Sequence, residues 1–142
     1  MKKLQNRKGF TLVELLIVMA IIAILILIAL PRFAQSTSTA TYRTLQGNAR
    51  TLASACQVYY ADNNAWPTKI SDLTTASKYA DITIFGADGT TNTKPTGAQY
   101  TIGGTATDQI VATIVLDAKP GKIDAADWAD GTKTATARVA FK

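Results

Sequence analysis

The first feature of the chain is a long hydrophobic run close to its N-terminal end. Sixteen consecutive residues from Leu15 to Leu30 are apolar, and Glu14 is the one charged residue between Phe10 and Leu30. About 21 helical residues, each rising roughly 1.5 Å, match the thickness of a bilayer core. The pattern therefore predicts a membrane-spanning helix over residues 10–32.

A second part of the chain has the period of an amphipathic helix. Apolar residues recur there at alternating steps of three and four, at Tyr42, Leu45, Ala49, Leu52, Cys56 and Tyr59. Pro31 has no backbone N–H to donate, so we expect the helix to kink or loosen at that residue without having to end. The polar run Asp62-Asn63-Asn64 before Trp66-Pro67 predicts that the helix ends at about residue 63.

The remaining residues show the period of β-strands. Beyond Pro67 the composition shifts to Thr, Gly, Ala and Asp, and apolar residues alternate with polar ones over 100–102, 110–116 and 135–141. An antiparallel sheet of three or four strands is implied, and one face of it can cover the apolar stripe of the helix. The predicted fold class is α+β: a long N-terminal helix packed on a C-terminal antiparallel sheet, with residues 33–142 forming a head.

Charge adds an orientation to this arrangement. The formal net charge is +5, and Lys2, Lys3, Arg7 and Lys8 supply four of the positive charges. Because positive residues favour the cytoplasmic side of a span, we expect a cytoplasmic N-terminus and a head outside the membrane, although Arg32 weakens the asymmetry. A nucleic-acid-binding surface needs basic residues clustered on a folded face, whereas these four residues lie in a short N-terminal arm. Whether the protein binds DNA therefore stays undetermined.

The chemistry of the chain is sparse. There is no histidine, the single cysteine cannot form an intrachain disulfide, and no nucleotide-binding loop or nucleophile motif is present, so we expect no enzymatic activity and no cofactor. The one weak candidate for a metal site is Asp124, Asp127 and Asp130, whose oxygens suit calcium. The alternative is that these aspartates form a solvated acidic turn or short helix.

Glu14 is the one residue of the apolar run that calls for a functional explanation. A carboxylate within a bilayer costs a few kcal/mol, so such a residue needs a partner. Candidates are Arg7, Lys8, or the ammonium group that cleavage between Gly9 and Phe10 would create on a neighbouring subunit. An intersubunit pair would set axial register, because a misplaced subunit leaves a charge unpaired. The alternative is that Glu14 extends to the membrane interface.

The run Arg7-Lys8-Gly9-Phe10-Thr11-Leu12-Val13-Glu14, followed by unbroken hydrophobic residues, resembles the class III signal of type IV prepilins. The resemblance implies that residues 1–9 are a leader, that a prepilin peptidase cuts after Gly9, and that Phe10 becomes the methylated first residue. It also implies an assembly role for Glu14 and for Pro31. The likeness extends over residues 1 to about 35, and the pilin architecture that it implies agrees with the predicted α+β fold.

By this resemblance the chain is a structural subunit that polymerises with itself into a type IV pilus filament. The implied partners are prepilin peptidase, an assembly platform with its motor, and the bacterial inner membrane that holds the precursor before the filament reaches the cell surface. Two alternatives stay open: a major pseudopilin of a type II secretion or DNA-uptake system, and a membrane-tethered binding module that does not polymerise. The single cysteine departs from the disulfide-closed C-terminal loop of many Gram-negative pilins.

Overall fold

A computed structural model describes residues 9–74, 78–81, 97–103 and 108–142. The chain divides into two compact units, Met1–Phe33 and Ala34–Lys142. Helix α1 covers Leu12–Asn63 and therefore contributes to both units, and Pro31 lies inside it. The helix continues through the proline, so the missing N–H does not end it.

Helix α1 ends where its last turn is closed by a residue of left-handed conformation. Asn64 has a φ of 52°, and its backbone N–H donates to the carbonyl oxygen of Tyr60 at 2.8 Å. Asparagine is among the few residues that adopt this conformation readily, and it satisfies one of the last free carbonyl groups of the helix. In the polar run Asp62-Asn63-Asn64, which predicts the end of the helix, the third residue therefore closes the last turn.

A short helix, α2, follows at Ile70–Thr74 and was not predicted. The Asp72 carboxylate accepts hydrogen bonds from the backbone N–H groups of Thr68 and Lys69 at 3.0 and 3.2 Å. These bonds satisfy donors that the start of a helix leaves free. Ile70 and Leu73 are buried, so the helix closes one edge of the hydrophobic core.

Four strands form one antiparallel sheet in the order β1-β2-β4-β3. They are β1 (Gln99–Ile102), β2 (Gln109–Val115), β3 (Trp128–Ala129) and β4 (Thr134–Ala140). The three predicted strands correspond to β1, β2 and β4. The two-residue strand β3 and the 3-10 helix Ala125–Asp127 before it were not anticipated, because segments so short have no readable period.

One buried cluster joins the helix to the inner face of the sheet, which confirms the predicted α+β arrangement. From α1 it takes Tyr42, Leu45, Ala49, Leu52, Ala53, Ala55 and Cys56, and from the sheet Tyr100, Ile110, Ala112, Ile114, Ala135 and Ala137. The many alanines leave room for the helix backbone to lie close to the sheet. Tyr60, which follows the last residue of the predicted stripe, is exposed and stacks on Trp66 with ring centroids 4.4 Å apart.

Candidate functional site

The predicted processing site lies at the first described residues. Gly9, Phe10 and Thr11 precede the helix, which begins at Leu12, and all three are exposed. The Phe10 side chain is 81 % exposed, so the described part of the chain does not shield the bond between Gly9 and Phe10. Residues 9–11 are neither helix nor strand, so their backbone is accessible to a peptidase.

Glu14 caps the helix whose first turn contains it. Its Oε2 atom accepts hydrogen bonds from the backbone N–H of Thr11 at 2.9 Å and from the Thr11 hydroxyl at 2.8 Å, while the Glu14 N–H donates to Thr11 Oγ1 at 3.2 Å. This reciprocal arrangement is a capping box, with Thr11 as the N-cap and Glu14 three residues later. A negative charge at this position also opposes the positive end of the helix dipole.

Sequence reasoning missed this partner of Glu14. A positively charged group was the partner expected for Glu14. The Thr-x-x-Glu pattern before an apolar run is a recognisable signal for a helix start, and it identifies Thr11 instead. The Oε1 atom of Glu14 receives no hydrogen bond from any residue that the structure describes. The carboxylate therefore has one oxygen engaged within its own chain and one oxygen available for a further partner.

The rest of the N-terminal unit presents an unbroken apolar surface. From Leu12 to Phe33 every large hydrophobic side chain is exposed, and none of the most apolar 18-residue window is buried within the chain. By length and composition helix α1 is able to cross a membrane. Soluble monomers rarely expose a contiguous apolar surface of this size, and such a surface is typical of a site that contacts a membrane or other proteins.

The N-terminal sequence is shared with known proteins. A family model described as the prokaryotic N-terminal methylation motif matches residues 4–30. The competence protein ComGC of Halalkalibacterium halodurans is 33 % identical over 72 residues, which are 51 % of this chain and 71 % of that protein. The chain belongs to the type IV pilin family.

Two fimbrial relatives extend the comparison. The fimbrial protein EcpC of Eikenella corrodens is 36 % identical over 90 residues, which are 61 % of this chain and 59 % of that protein. The type IV major pilin protein PilE1 of Neisseria gonorrhoeae is 38 % identical over 76 residues, or 54 % and 46 % of the two chains. The chain thus spans about half the length of the fimbrial relatives that it matches. No solved structure matches the chain.

Of the three aspartates of the pilin head, Asp124 and Asp127 line one cleft together with Tyr42 and Lys122. Asp127 pairs with the guanidinium of Arg138 on β4, and Asp130 accepts a hydrogen bond from the indole N–H of Trp128 at 3.0 Å. Within the described ranges no three Asp, Glu, Cys or His side chains are grouped so as to hold a metal. In the candidate set of Asp124, Asp127 and Asp130, two carboxylates are thus engaged by other side chains, and the calcium site stays a prediction.

The single cysteine of the pilin is a core residue. Cys56 is free and fully buried on the inner face of α1. Burial raises the pKa of its thiol from 9.0 to about 12, since an apolar environment disfavours the thiolate. This burial agrees with the position of Cys56 on the predicted apolar stripe of the helix.

Proposed function

We propose that this pilin is the structural subunit of a type IV pilus filament. The observation that supports the proposal most directly is the apolar surface from Leu12 to Phe33, on which every large hydrophobic side chain is exposed. Near its start, the Oε1 atom of Glu14 receives no hydrogen bond from the described residues. Apolar helices of neighbouring copies bury such a surface when the protein leaves the bilayer. The fimbrial names of the relatives support the same function, and a structural role needs no enzymatic activity.

Processing is the step that completes the assembly site. Cleavage after Gly9 by a prepilin peptidase frees the amino group of Phe10, and methylation keeps that group positively charged. In a filament this ammonium approaches Glu14 of an adjacent copy, where the unused Oε1 atom is available to accept it. The same carboxylate then does two things: its Oε2 caps its own helix, and its Oε1 fixes the register of a neighbour. An unpaired charge in the apolar filament core penalises misplacement.

The precursor is proposed to reside in the bacterial inner membrane before it is extracted. The basic residues ahead of the span favour a cytoplasmic N-terminus, and the unit after the span then lies on the outer side. An assembly platform and its motor would move the processed subunit into the growing filament. The finished filament is displayed on the cell surface.

Two conservative substitutions separate the two roles of Glu14. Glu14→Gln retains a residue that completes a capping box but removes the charge, whereas Thr11→Ala retains the charge and removes the cap. Each variant is expressed in cells with the assembly machinery, and sheared filaments are quantified. Register pairing predicts that Glu14→Gln loses most filaments while Thr11→Ala loses few. The opposite ranking would show that helix capping alone explains Glu14.

Filament formation itself is tested by processing and location. Sheared surface material is collected, and the N-terminus and intact mass of the subunit are determined by mass spectrometry. Methylated Phe10 in surface filaments is the expected result. Protein that still begins at Met1 would contradict the pilin function and would favour the tethered binding module.

A competence pseudopilin is the second candidate, because the chain aligns with 71 % of ComGC. It shares the processing signal and the apolar helix, so the N-terminus does not separate the two functions. The location of the protein in the cell separates the two functions. Processed subunits found only in the cell envelope, together with lost DNA uptake in a deletion strain, would favour the pseudopilin over the surface pilus.

A further inference from the structure

The connection between β3 and β4 contains an Asp-Gly pair, Asp130-Gly131. Residues 130–133 form a turn, in which the Lys133 N–H donates to the main-chain carbonyl oxygen of Asp130 at 3.3 Å. Asp130 and Gly131 are both exposed, and a Cβ atom added to Gly131 would meet nothing within 4 Å. Solvent therefore reaches the side-chain carboxyl group of the aspartate and the peptide bond that follows it.

The backbone nitrogen of Gly131 is not held in place. Among the described residues no acceptor receives a hydrogen bond from its N–H, so none has to break before the nitrogen moves. Glycine has no Cβ, so the backbone on both sides of Gly131 turns through a wide range of angles. This nitrogen and the carboxyl carbon of Asp130 belong to one short stretch of chain, and a bond between them closes a five-membered ring. Such closeness favours an intramolecular reaction.

Other described aspartates are less favourably placed for this ring closure. Asp117 is followed by Ala118, whose N–H donates to Ser38 Oγ at 3.3 Å. Asp124 is followed by Ala125, which carries a Cβ and begins the 3-10 helix. Neither pair combines a free backbone nitrogen with a glycine.

The indole of Trp128 restrains the carboxyl group of Asp130. Its N–H donates to Asp130 Oδ1 at 3.0 Å from a position two residues before the aspartate. Ring closure requires the carboxyl carbon to turn toward the following residue, Gly131, so this hydrogen bond opposes the turn. Trp128 is packed against the hydrophobic core, which fixes the position of the donor. The indole is thus placed to control how often the carboxyl carbon reaches the nitrogen.

We propose that Asp130-Gly131 is a site at which the backbone isomerises to isoaspartate, and that the Trp128 indole slows this reaction. The Gly131 nitrogen forms a bond to Cγ of Asp130 and loses its proton, while one oxygen of the protonated carboxyl group takes that proton and leaves as water. A water molecule from the solvent then adds to the main-chain carbonyl carbon of Asp130 and breaks its bond to the nitrogen. The main chain now runs through Cβ and Cγ and is longer by one carbon atom.

The product changes the turn between β3 and β4. The main-chain carbonyl of Asp130, which accepts from Lys133, becomes part of a free carboxylate, and the carboxyl group that meets the Trp128 indole becomes part of the backbone. Strand β3 has two residues, so it depends on this turn for its pairing with β4. We expect the edge of the sheet to loosen. The inference concerns the folded Ala34–Lys142 unit and does not depend on the proposed filament function.

Ageing of the purified full chain in detergent tests the site. The protein is incubated at constant temperature, digested with trypsin and analysed by mass spectrometry with electron-transfer fragmentation, which distinguishes isoaspartate from aspartate. Cleavage after Lys122 and Lys133 gives the peptide 123–133, which separates Asp130 from the other Asp-Gly pair of the sequence, at 88–89. Isoaspartate is expected to accumulate severalfold faster at Asp130 than at Asp124 in the same peptide. Equal or slower accumulation at Asp130 would overturn the proposal.

Two variants test the groups assigned to the reaction. Gly131→Ala is expected to suppress most of the isoaspartate at Asp130, because the added Cβ narrows the range of backbone angles. Trp128→Phe keeps an aromatic ring and loses the N–H, so it is expected to raise isoaspartate at Asp130 severalfold. Unchanged or slower formation in Trp128→Phe would overturn the role of the indole.

Asp117 shows whether Trp128→Phe acts by unfolding the head. The N–H that follows Asp117 is bonded to Ser38 in the folded chain, so isoaspartate at Asp117 is expected to stay low in the variant. A parallel rise at Asp117 and Asp130 would indicate a general opening of the fold and would contradict a local role of Trp128.

Discussion

The Oγ atom of Ser38 accepts a hydrogen bond from the backbone N–H of Ala118, at 3.3 Å and 80 positions away in sequence. The adjacent Thr39 hydroxyl accepts from the backbone N–H of Gly121 at 2.9 Å and donates to the carbonyl of Gln35 at 2.8 Å. Two neighbouring hydroxyls of α1 therefore hold the segment that follows β2. Among the described residues Ser38 is the one buried polar residue, which agrees with a role in stabilising the fold.

Replacing Ser38 by alanine is expected to destabilise the pilin by about 1 to 2 kcal/mol. The Ala118 N–H is part-buried, so it loses its partner without gaining full access to water. Thr39→Val is the matched control. Gly121 is exposed, and water replaces the lost bond at a cost below about 1 kcal/mol. Denaturant unfolding of the full chain in detergent, followed by tryptophan fluorescence, measures both values. Equal losses would contradict this account.

Gly47→Ala is expected to stabilise the helix by up to about 1 kcal/mol. Gly47 is exposed inside α1, and a Cβ atom added there meets nothing within 4 Å. The gain comes from the smaller backbone entropy of the unfolded chain and from the higher helix propensity of alanine. Ser54→Gly, at an exposed position two turns later, is expected to lower stability by about 0.5 kcal/mol. Chemical denaturation of both variants measures the two changes, and a loss of stability in Gly47→Ala would show that this position needs to bend.

Stability is expected to fall as the pH rises above 9 because of Cys56. The thiol pKa is about 12 in the folded chain and 9.0 in the unfolded one, so between these values the unfolded state releases a proton that the folded state retains. One such group lowers the free energy of unfolding by about 1.4 kcal/mol per pH unit in this window and has no effect below it.

Unfolding curves at pH 8, 9 and 10 measure this slope, with Cys56→Ala as the comparison. The variant is expected to lose this contribution to the slope. Burial also raises the pKa of Tyr42 and of Tyr100, so a residual decline above pH 10 is expected in both proteins. Identical slopes at pH 9 to 10 would contradict the assignment to Cys56.

Calcium is not expected to bind the acidic segment from Asp124 to Asp130. The temperature midpoint of unfolding is therefore expected to be the same with and without calcium. Asp127 is engaged by Arg138 and Asp130 by the Trp128 indole, so the carboxylates are not arranged as a ligand set. Thermal unfolding with calcium and with a chelator checks this expectation. A midpoint shift that Asp124→Asn abolishes would contradict it.

The same ion pair is worth little to stability. Arg138 is half-exposed, so Asp127→Asn is expected to cost at most about 1 kcal/mol, and Asp117→Asn, which breaks no described pair, is expected to cost less. Denaturant unfolding of the two variants side by side measures the difference.

The sequence alone predicts the elements whose formation depends on residues close to one another in the chain. The apolar run, the period of α1 and the alternation in β2 and β4 each depend on neighbours a few residues away, and the structure confirms the elements that they predict. The capping box of Thr11 and Glu14 is equally local. Its Thr-x-x-Glu spacing is visible in the sequence, although the charge of Glu14 first suggests a positively charged partner.

Tertiary structure decided whatever depends on residues distant in sequence. The strand order places β4 between β2 and β3, and this pairing brings Arg138 to Asp127. A spacing of three among aspartates carries no such information, since the direction of a side chain in a turn depends on the backbone around it. The apolar run, helix α1 and its capping box are therefore readable from local sequence, whereas the strand order and the packing of the sheet on α1 arise from long-range pairing.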